Sequence, residues 1–323
     1  MLDAPFYSDI AEGPDGGRAI WLHASDGVRI RVGHWPLGSQ VLKKGAAEKA
    51  QVKGTVLMFP GRTEYIEKYG RAAADFAARG FEMIAVDWRG QGLADRLLND
   101  PMTGHVADFS DYQKDVDAVL TWATQQELPK PWFLVGHSMG GAIGMQALYA
   151  DLPVKSAVFS APMWGIHLKP ATRAVAGVIA TIAQMFGQSH RYAPGTTPAS
   201  YVLDAGFDDN MLTTDRDMWT YMENHIHQEP LFGLGGPSVA WVGTSLKFCR
   251  EILARTPPSL PVLTLLGTHE RIVDTPAVHQ RMENWPNATL QMVDGAEHEV
   301  MMETPETRKM VFDAMAAHFS ANP

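Results

Sequence analysis

A single cysteine, Cys249, stands in 323 residues. It leaves no intrachain disulfide to form and no CxxC pair for metal or redox chemistry, and it reads as a core thiol. Positive charge is also in deficit: 27 Lys and Arg against 36 Asp and Glu give a formal net charge of -9. No Lys/Arg-rich face alternates with aromatics, which excludes a nucleic-acid partner. Long apolar runs are missing too. The longest, Ala171 to Phe186, is shorter than the ~20 residues a spanning helix requires and includes Arg173 and Gln184. The opening Met1-Leu2-Asp3-Ala4-Pro5-Phe6 has neither the basic start nor the apolar stretch of a secretion signal, so the expected compartment is the cytoplasm. No low-complexity tract or fixed-period repeat is apparent. What remains, 46% apolar and 20% charged residues, is the composition of a globular chain long enough for one large core with an added element.

The most informative run present is Gly136-His137-Ser138-Met139-Gly140, set directly behind Pro131-Trp132-Phe133-Leu134-Val135. It is Gly-x-Ser-x-Gly at a strand-to-helix junction. Such a turn is too sharp for bulky neighbours, so glycines flank it while the serine hydroxyl is thrust beyond the sheet edge. Gly140, Gly141, Ala142 and Gly144 then let the next helix lie close to the strands.

The surrounding pattern predicts an α/β fold. Arg18-His23 and Val28-Trp35 flank the turn Ser25-Asp26-Gly27 as a hairpin, and a Lys-rich connector follows (Lys43, Lys44, Lys49, Lys53). Strands are then expected at Thr55-Phe59, Met83-Val86, Pro131-Val135, Val154-Ser160, Pro261-Leu266 and Ala288-Val293. Helices alternate with them: one carries Ile66, Tyr69, Ala73 and Phe76, one is started by a capping box of Ser110 and Gln113, and the last is started by Thr304-Pro305. This grammar gives a mostly parallel central sheet with helices on both faces. Residues 161–255 break the rhythm with aromatics, methionines and prolines. They are read as an inserted helical lid between core segments 1–160 and 256–323.

A serine hydroxyl is a weak nucleophile, so Ser138 needs a histidine within reach and a carboxylate to orient it, in the chain order serine, acid, histidine. His298, in the loop Asp294-Gly295-Ala296-Glu297-His298-Glu299 after the last strand, is the histidine placed to reach back over the strand ends. His137 points elsewhere by the geometry of the turn. His225 and His227 suggest a metal pair but lack nearby ligands, and a solvated or a helix-face reading is preferred. The acid follows Pro261-Leu266, where Glu270 and Asp274 compete. Glu270 stands where the loop leaves the sheet; Asp274 is better suited to capping the helix begun by Thr275-Pro276. Oxyanion donors are expected from the amide of Met139 and from the loop Pro60-Gly61-Arg62-Thr63-Glu64. Pro60 has no N–H, and the Arg62 amide is preferred.

These residues bring a family into view. Phe59-Pro60-Gly61-Arg62-Thr63-Glu64-Tyr65, Asp87-Trp88-Arg89-Gly90-Gln91-Gly92, Gly104-His105-Val106, Gly136-His137-Ser138-Met139-Gly140-Gly141 and Gly295-Ala296-Glu297-His298 resemble the α/β-hydrolases of the lysophospholipase L2 and monoacylglycerol lipase group. The likeness runs from Thr55 to the C-terminus and is closer to the lysophospholipase L2 branch. It implies a serine esterase acting on a single-chain lipid ester, with Ser138, Glu270 and His298 as triad, no cofactor and no metal. Two departures stand out: that group usually has Asp where this chain has Glu270, and the lipase branch has His-Gly where this chain has Pro60-Gly61. Asp87, Arg89 and Gly90 are read as loop scaffolding. The lid suits an acyl chain, and Ala171-Phe186 suits peripheral contact with the inner face of a membrane. The rival readings are a small-ester or thioester hydrolase, an aminopeptidase using lid carboxylates (Asp204, Asp208, Asp209, Glu223), and a non-catalytic receptor or scaffold of the same fold.

Overall fold

The computed structural model describes residues 2–37 and 52–323, with backbone alone at 170–174. Lys43, Lys44 and Lys49 of the expected connector lie outside the described residues. Nine strands form one sheet: β1 (Leu2–Ala4), β2 (Arg18–His23), β3 (Arg29–Trp35), β4 (Thr55–Phe59), β5 (Glu82–Asp87), β6 (Trp132–His137), β7 (Ala157–Ser160), β8 (Val262–Gly267) and β9 (Ala288–Val293). Their spatial order is β1-β2-β3-β5-β4-β6-β7-β8-β9. The first three and the β3–β5 pair are antiparallel, and the rest are parallel. The helices are α1 (Ser8–Ala11), α2 (Gly70–Ala78), α3 (Tyr112–Gln125), α4 (Met139–Tyr149), α5 (Pro170–Met185), α6 (Tyr201–Ala205), α7 (Arg216–Gln228), α8 (Val239–Ala254), α9 (Thr275–Glu283) and α10 (Pro305–Ala321).

Every residue of β4 and β6 is buried, as strands covered on both faces require. Alternation sorts them: Leu57 and Phe59 pack with Val116 of α3, Ile143 of α4 and Val278 of α9, whereas Val56 and Met58 pack with Phe76 of α2 and Phe312 and Phe319 of α10. Four helices, α5 to α8, lie between β7 and β8. Their aromatics divide. Phe248 and Ile252 of α8 join the core cluster of α3 and α4, while Met218, Trp219, Tyr221 and Met222 of α7 form a cluster of their own with Met302.

Three local expectations change. β1 adds a short edge strand, Leu2 pairing with Trp21, that three residues are too few to announce. The capping box at Ser110 and Gln113 does not form: a 3-10 turn over Phe109–Asp111 precedes α3, and Asp108 accepts from the Ser110 amide at 2.9 Å. Gln113 donates instead to the Ile143 carbonyl at 3.1 Å. His225 is buried rather than solvated, because it continues the inward face of α7 set by Met218, Tyr221 and Met222. Its Nε2–H donates to the Ile10 carbonyl at 2.7 Å, and its ring lies 4.1 Å from that of Tyr221.

Burial pushes the His225 imidazole down from 6.5 to about 4. The unfolded chain therefore binds this proton where the folded one does not. Its stabilising effect is complete above the ordinary value and is lost as pH falls toward the lowered one, by on the order of 2–3 kcal/mol. In urea melts, the stability gap between the native protein and His225→Gln should narrow on going from neutral pH to mildly acidic pH. A gap that stays constant would remove His225 as a source of acid sensitivity.

Candidate active site

Ser138 follows directly on β6, at the N-cap of α4, with φ 49 and ψ -116, a conformation that L side chains adopt only when the surroundings enforce it. The enforcement is visible on both sides. A Cβ on Gly136 would stand 2.9 Å from the Gly140 carbonyl oxygen, and one on Gly140 would stand 1.9 Å from that of Phe59. The Ser138 amide donates to the Ser160 carbonyl at 3.0 Å, and its own carbonyl accepts from Gly141 and Met163 at 2.9 and 2.8 Å. Met139 is the first residue of α4, so its N–H has no intrahelical acceptor and sits at the positive end of the helix.

On the loop after β9, His298 is buried, its amide bonded to the Met211 carbonyl at 3.3 Å. Its ring Nδ1 lies 2.7 Å from Glu270 Oε2. The other oxygen of Glu270 accepts from the amides of Ile272 and Val273 at 2.6 and 3.0 Å. Burial acts to raise this carboxyl, but the His298 charge and hydrogen bond together with the two amides outweigh it, and Glu270 is held below the usual carboxylate range. Asp274 takes the N-cap position of α9, with its Cβ against Gly165. Of the two competing acids, Glu270 is the one that meets the ring.

Ser138 and His298 share the wall of a cavity of about 320 Å³, roofed by Tyr201, Val202, Met222 and Ile226 from α6 and α7. Arg62 lines the same cavity from the loop after β4. In that loop the Gly61 amide is already committed to the Glu64 carboxylate, and the Gln91 side chain holds the carbonyls of Gly61 and Glu64 at 2.8 and 3.0 Å. None of Asp204, Asp208, Asp209 and Glu223 is among the residues lining the cavity. Asp208 and Asp209 pair instead with Arg216 and Arg271, at 3.7 and 2.9 Å.

Residues 50–305 match the Hydrolase_4 family, described as serine aminopeptidase, S33. The chain belongs to this family. It is a serine hydrolase of the α/β-hydrolase fold. Lysophospholipase L2 of Escherichia coli K12 is 32% identical over 285 residues, which cover 82% of this chain and 80% of that protein. A probable lysophospholipase L2 of Haemophilus influenzae is 29% identical, over 83% and 84% of the two chains. The crystal structure of a soluble variant of the Saccharomyces cerevisiae monoglyceride lipase superposes with a TM-score of 0.69 at 21% identity, covering 93% of this chain and 94% of that one.

In the wall of the cavity the hydrolase carries an ionic cluster that sequence reasoning missed. Lys68 Nζ lies 2.5 Å from both Glu64 Oε1 and Glu299 Oε1, all three buried. His137 joins them: its Nδ1–H donates to the Ser160 carbonyl at 3.1 Å, and Nε2 lies 3.2 Å from Glu299 Oε2. Burial acts to lower the His137 imidazole, yet Glu299 and Glu64 outweigh it and raise it. Its ring centre is 4.8 Å from that of His298, so it packs beside the site as well as anchoring the turn. Glu64, His137 and Glu299 offer ligand atoms within 4.8 Å of one another, but Lys68, Tyr69 and the Gly61 amide already occupy the carboxylates. The trio is thus a paired ionic cluster. The spacing of Glu64 and Lys68 at i and i+4 was its one sequence signal.

The scaffolding residues are bound as such. Asp87 accepts from Arg31 Nε and from the amides of Ile66 and Leu93, each at 2.7 Å. Arg89 bridges Asp115 and Asp26, each at 2.8 Å.

Proposed function

We propose that this hydrolase cleaves carboxylic esters of single-chain lipids through an acyl-enzyme on Ser138. The observation that carries the reading is a buried imidazole fixed by a carboxylate at 2.7 Å, opening on the same cavity as a serine on a positive-φ turn. With Nδ1–H donated to Glu270, His298 presents a bare Nε2 that can take the Ser138 proton as the hydroxyl attacks the ester carbonyl. The developing oxyanion is met by the Met139 and Arg62 amides, each such donor being worth about 3 kcal/mol. His298 then protonates the leaving alcohol, and afterwards deprotonates the water that releases the fatty acid. Glu270, ionised throughout, holds the ring and stabilises its charged form.

Substrate class is supported by the cavity's apolar roof of Val202, Leu212, Met222 and Ile226, since each buried CH₂ contributes about 0.8 kcal/mol. The names of the relatives, a lysophospholipase and a monoglyceride lipase, both describe single-chain lipid esters. An amine-recognising peptidase site would need a free carboxylate in the cavity, and Glu64 and Glu299, which line it, are tied to Lys68. A p-nitrophenyl ester series from acetate to palmitate tests the reading. The expected result is kcat/KM rising with acyl length, through KM. A maximum at acetate with no rate on long chains would assign the site to small esters instead.

Access to lipid is proposed through α5. Val178, Ile182, Met185 and Phe186 are each half or more exposed, at 59%, 50%, 76% and 73%, and follow helical spacing. Among the described residues no helix is long and apolar enough to cross a membrane; the exposed apolar side chains of α5 would meet the bilayer at its surface. Co-sedimentation with phosphatidylcholine vesicles should fall several-fold when Ile182 and Met185 are both replaced by Glu. Unchanged binding in that variant would remove α5 as the contact.

A further inference from the structure

The loop after β4 brings the cavity a cation that has no counter-ion among the described residues. Arg62 Nη2 donates to the Gly235 carbonyl at 2.5 Å, and the guanidinium carbon lies 5.3 Å from the centre of the Trp241 ring. Its Nε is buried without a partner, and among the described residues the side chain forms no ion pair. The other lysine or arginine in the cavity wall, Lys68, is neutralised by Glu64 and Glu299. Burial lowers the Arg62 guanidinium to about 10, so it is still charged at neutral pH and has lost hydration without gaining an anion. The fold makes room for it: a Cβ on Gly104 would stand 2.4 Å from Arg62 Nη2.

We propose that Arg62 is a specificity-determining residue whose guanidinium receives the phosphodiester of a lysophospholipid, so that the hydrolase prefers lysophospholipids to neutral monoacylglycerols of the same acyl chain. The proposal rests on the ester-hydrolase reading above. In that reading the Arg62 amide meets the ester oxyanion, and its side chain runs from that point along the cavity wall. A glycerol backbone separates an ester carbonyl from its phosphodiester by about as many bonds as separate an arginine amide from its guanidinium. The planar fork then has the donors a phosphate oxygen pair accepts, which an alcohol head group does not match.

The test compares kcat/KM for monomeric myristoyl-lysophosphatidylglycerol and monomyristoylglycerol in the native protein, Arg62→Met and Arg62→Lys. Both variants keep the backbone amide. The native ratio should favour the lysophospholipid. Arg62→Met should lower that ratio by at least about tenfold, mainly through KM, as loss of a charge-assisted hydrogen bond implies, and Arg62→Lys should retain most of it. Equal loss on both substrates would reduce Arg62 to a brace for Gly235 and Trp241 and overturn the proposal. So would a native ratio near one, a result that stands even if Arg62→Met fails to fold. Native protein inactive on both lipids would instead overturn the ester-hydrolase reading, and this inference with it.

Discussion

Replacing Ser138 with alanine is expected to lower ester hydrolysis by at least about 10⁴-fold, the scale on which a triad nucleophile acts. Alanine keeps the Cβ and therefore adds no strain to the positive-φ turn, which Gly136, Gly140 and the Ser160 carbonyl hold in place. The loss should be in kcat, with thermal stability little changed. What survives in the variant is the cavity and the proposed oxyanion donors, which would account for slow residual turnover. A rate within tenfold of native would mean that the chemistry occurs elsewhere.

Glu270→Gln is expected to cost about 10³–10⁴-fold in kcat, and the reason is the way the carboxylate is held. Oε1 accepts two backbone amides, from Ile272 and Val273. In glutamine the carbonyl oxygen must stay there, which turns the NH₂ toward His298 Nδ1. The ring is then driven to the tautomer with its proton on Nε2, where it can no longer accept one from Ser138. Asp274→Asn, at the start of α9, should stay within a few-fold of native activity. Assays of both variants on one long-chain ester decide the matter: severe loss confined to Asp274→Asn would show that the acid is Asp274.

Much of this architecture is legible in the sequence where one physical rule dominates. Fully buried parallel strands such as β4 and β6 read as unbroken apolar runs, and the turn at Ser138 announces itself because only small residues fit beside it. His298 is legible from chain order. The preference for Glu270 over Asp274 follows from where the loop leaves the sheet, whereas the Ile272 and Val273 amides that hold the Glu270 carboxylate are not visible in the sequence. Convergent features are hidden for the same reason. Glu64 and Lys68 look like an exposed i, i+4 pair until Glu299 and His137 arrive from distant segments to bury them. His225 looks polar until α7 docks against Ile10. Helix α8 is grouped with the lid by its place in the chain, yet Phe248 and Ile252 pack into the main core.

The central claim is that His298 makes the Ser138 hydroxyl nucleophilic, and covalent labelling reads that property directly. Native protein incubated with a fluorophosphonate, then weighed intact and mapped by peptide, should carry one adduct on Ser138. Labelling should be absent in Ser138→Ala and slowed by orders of magnitude in His298→Ala. An adduct on another residue, or an unlabelled native protein that still turns over esters, would contradict the account.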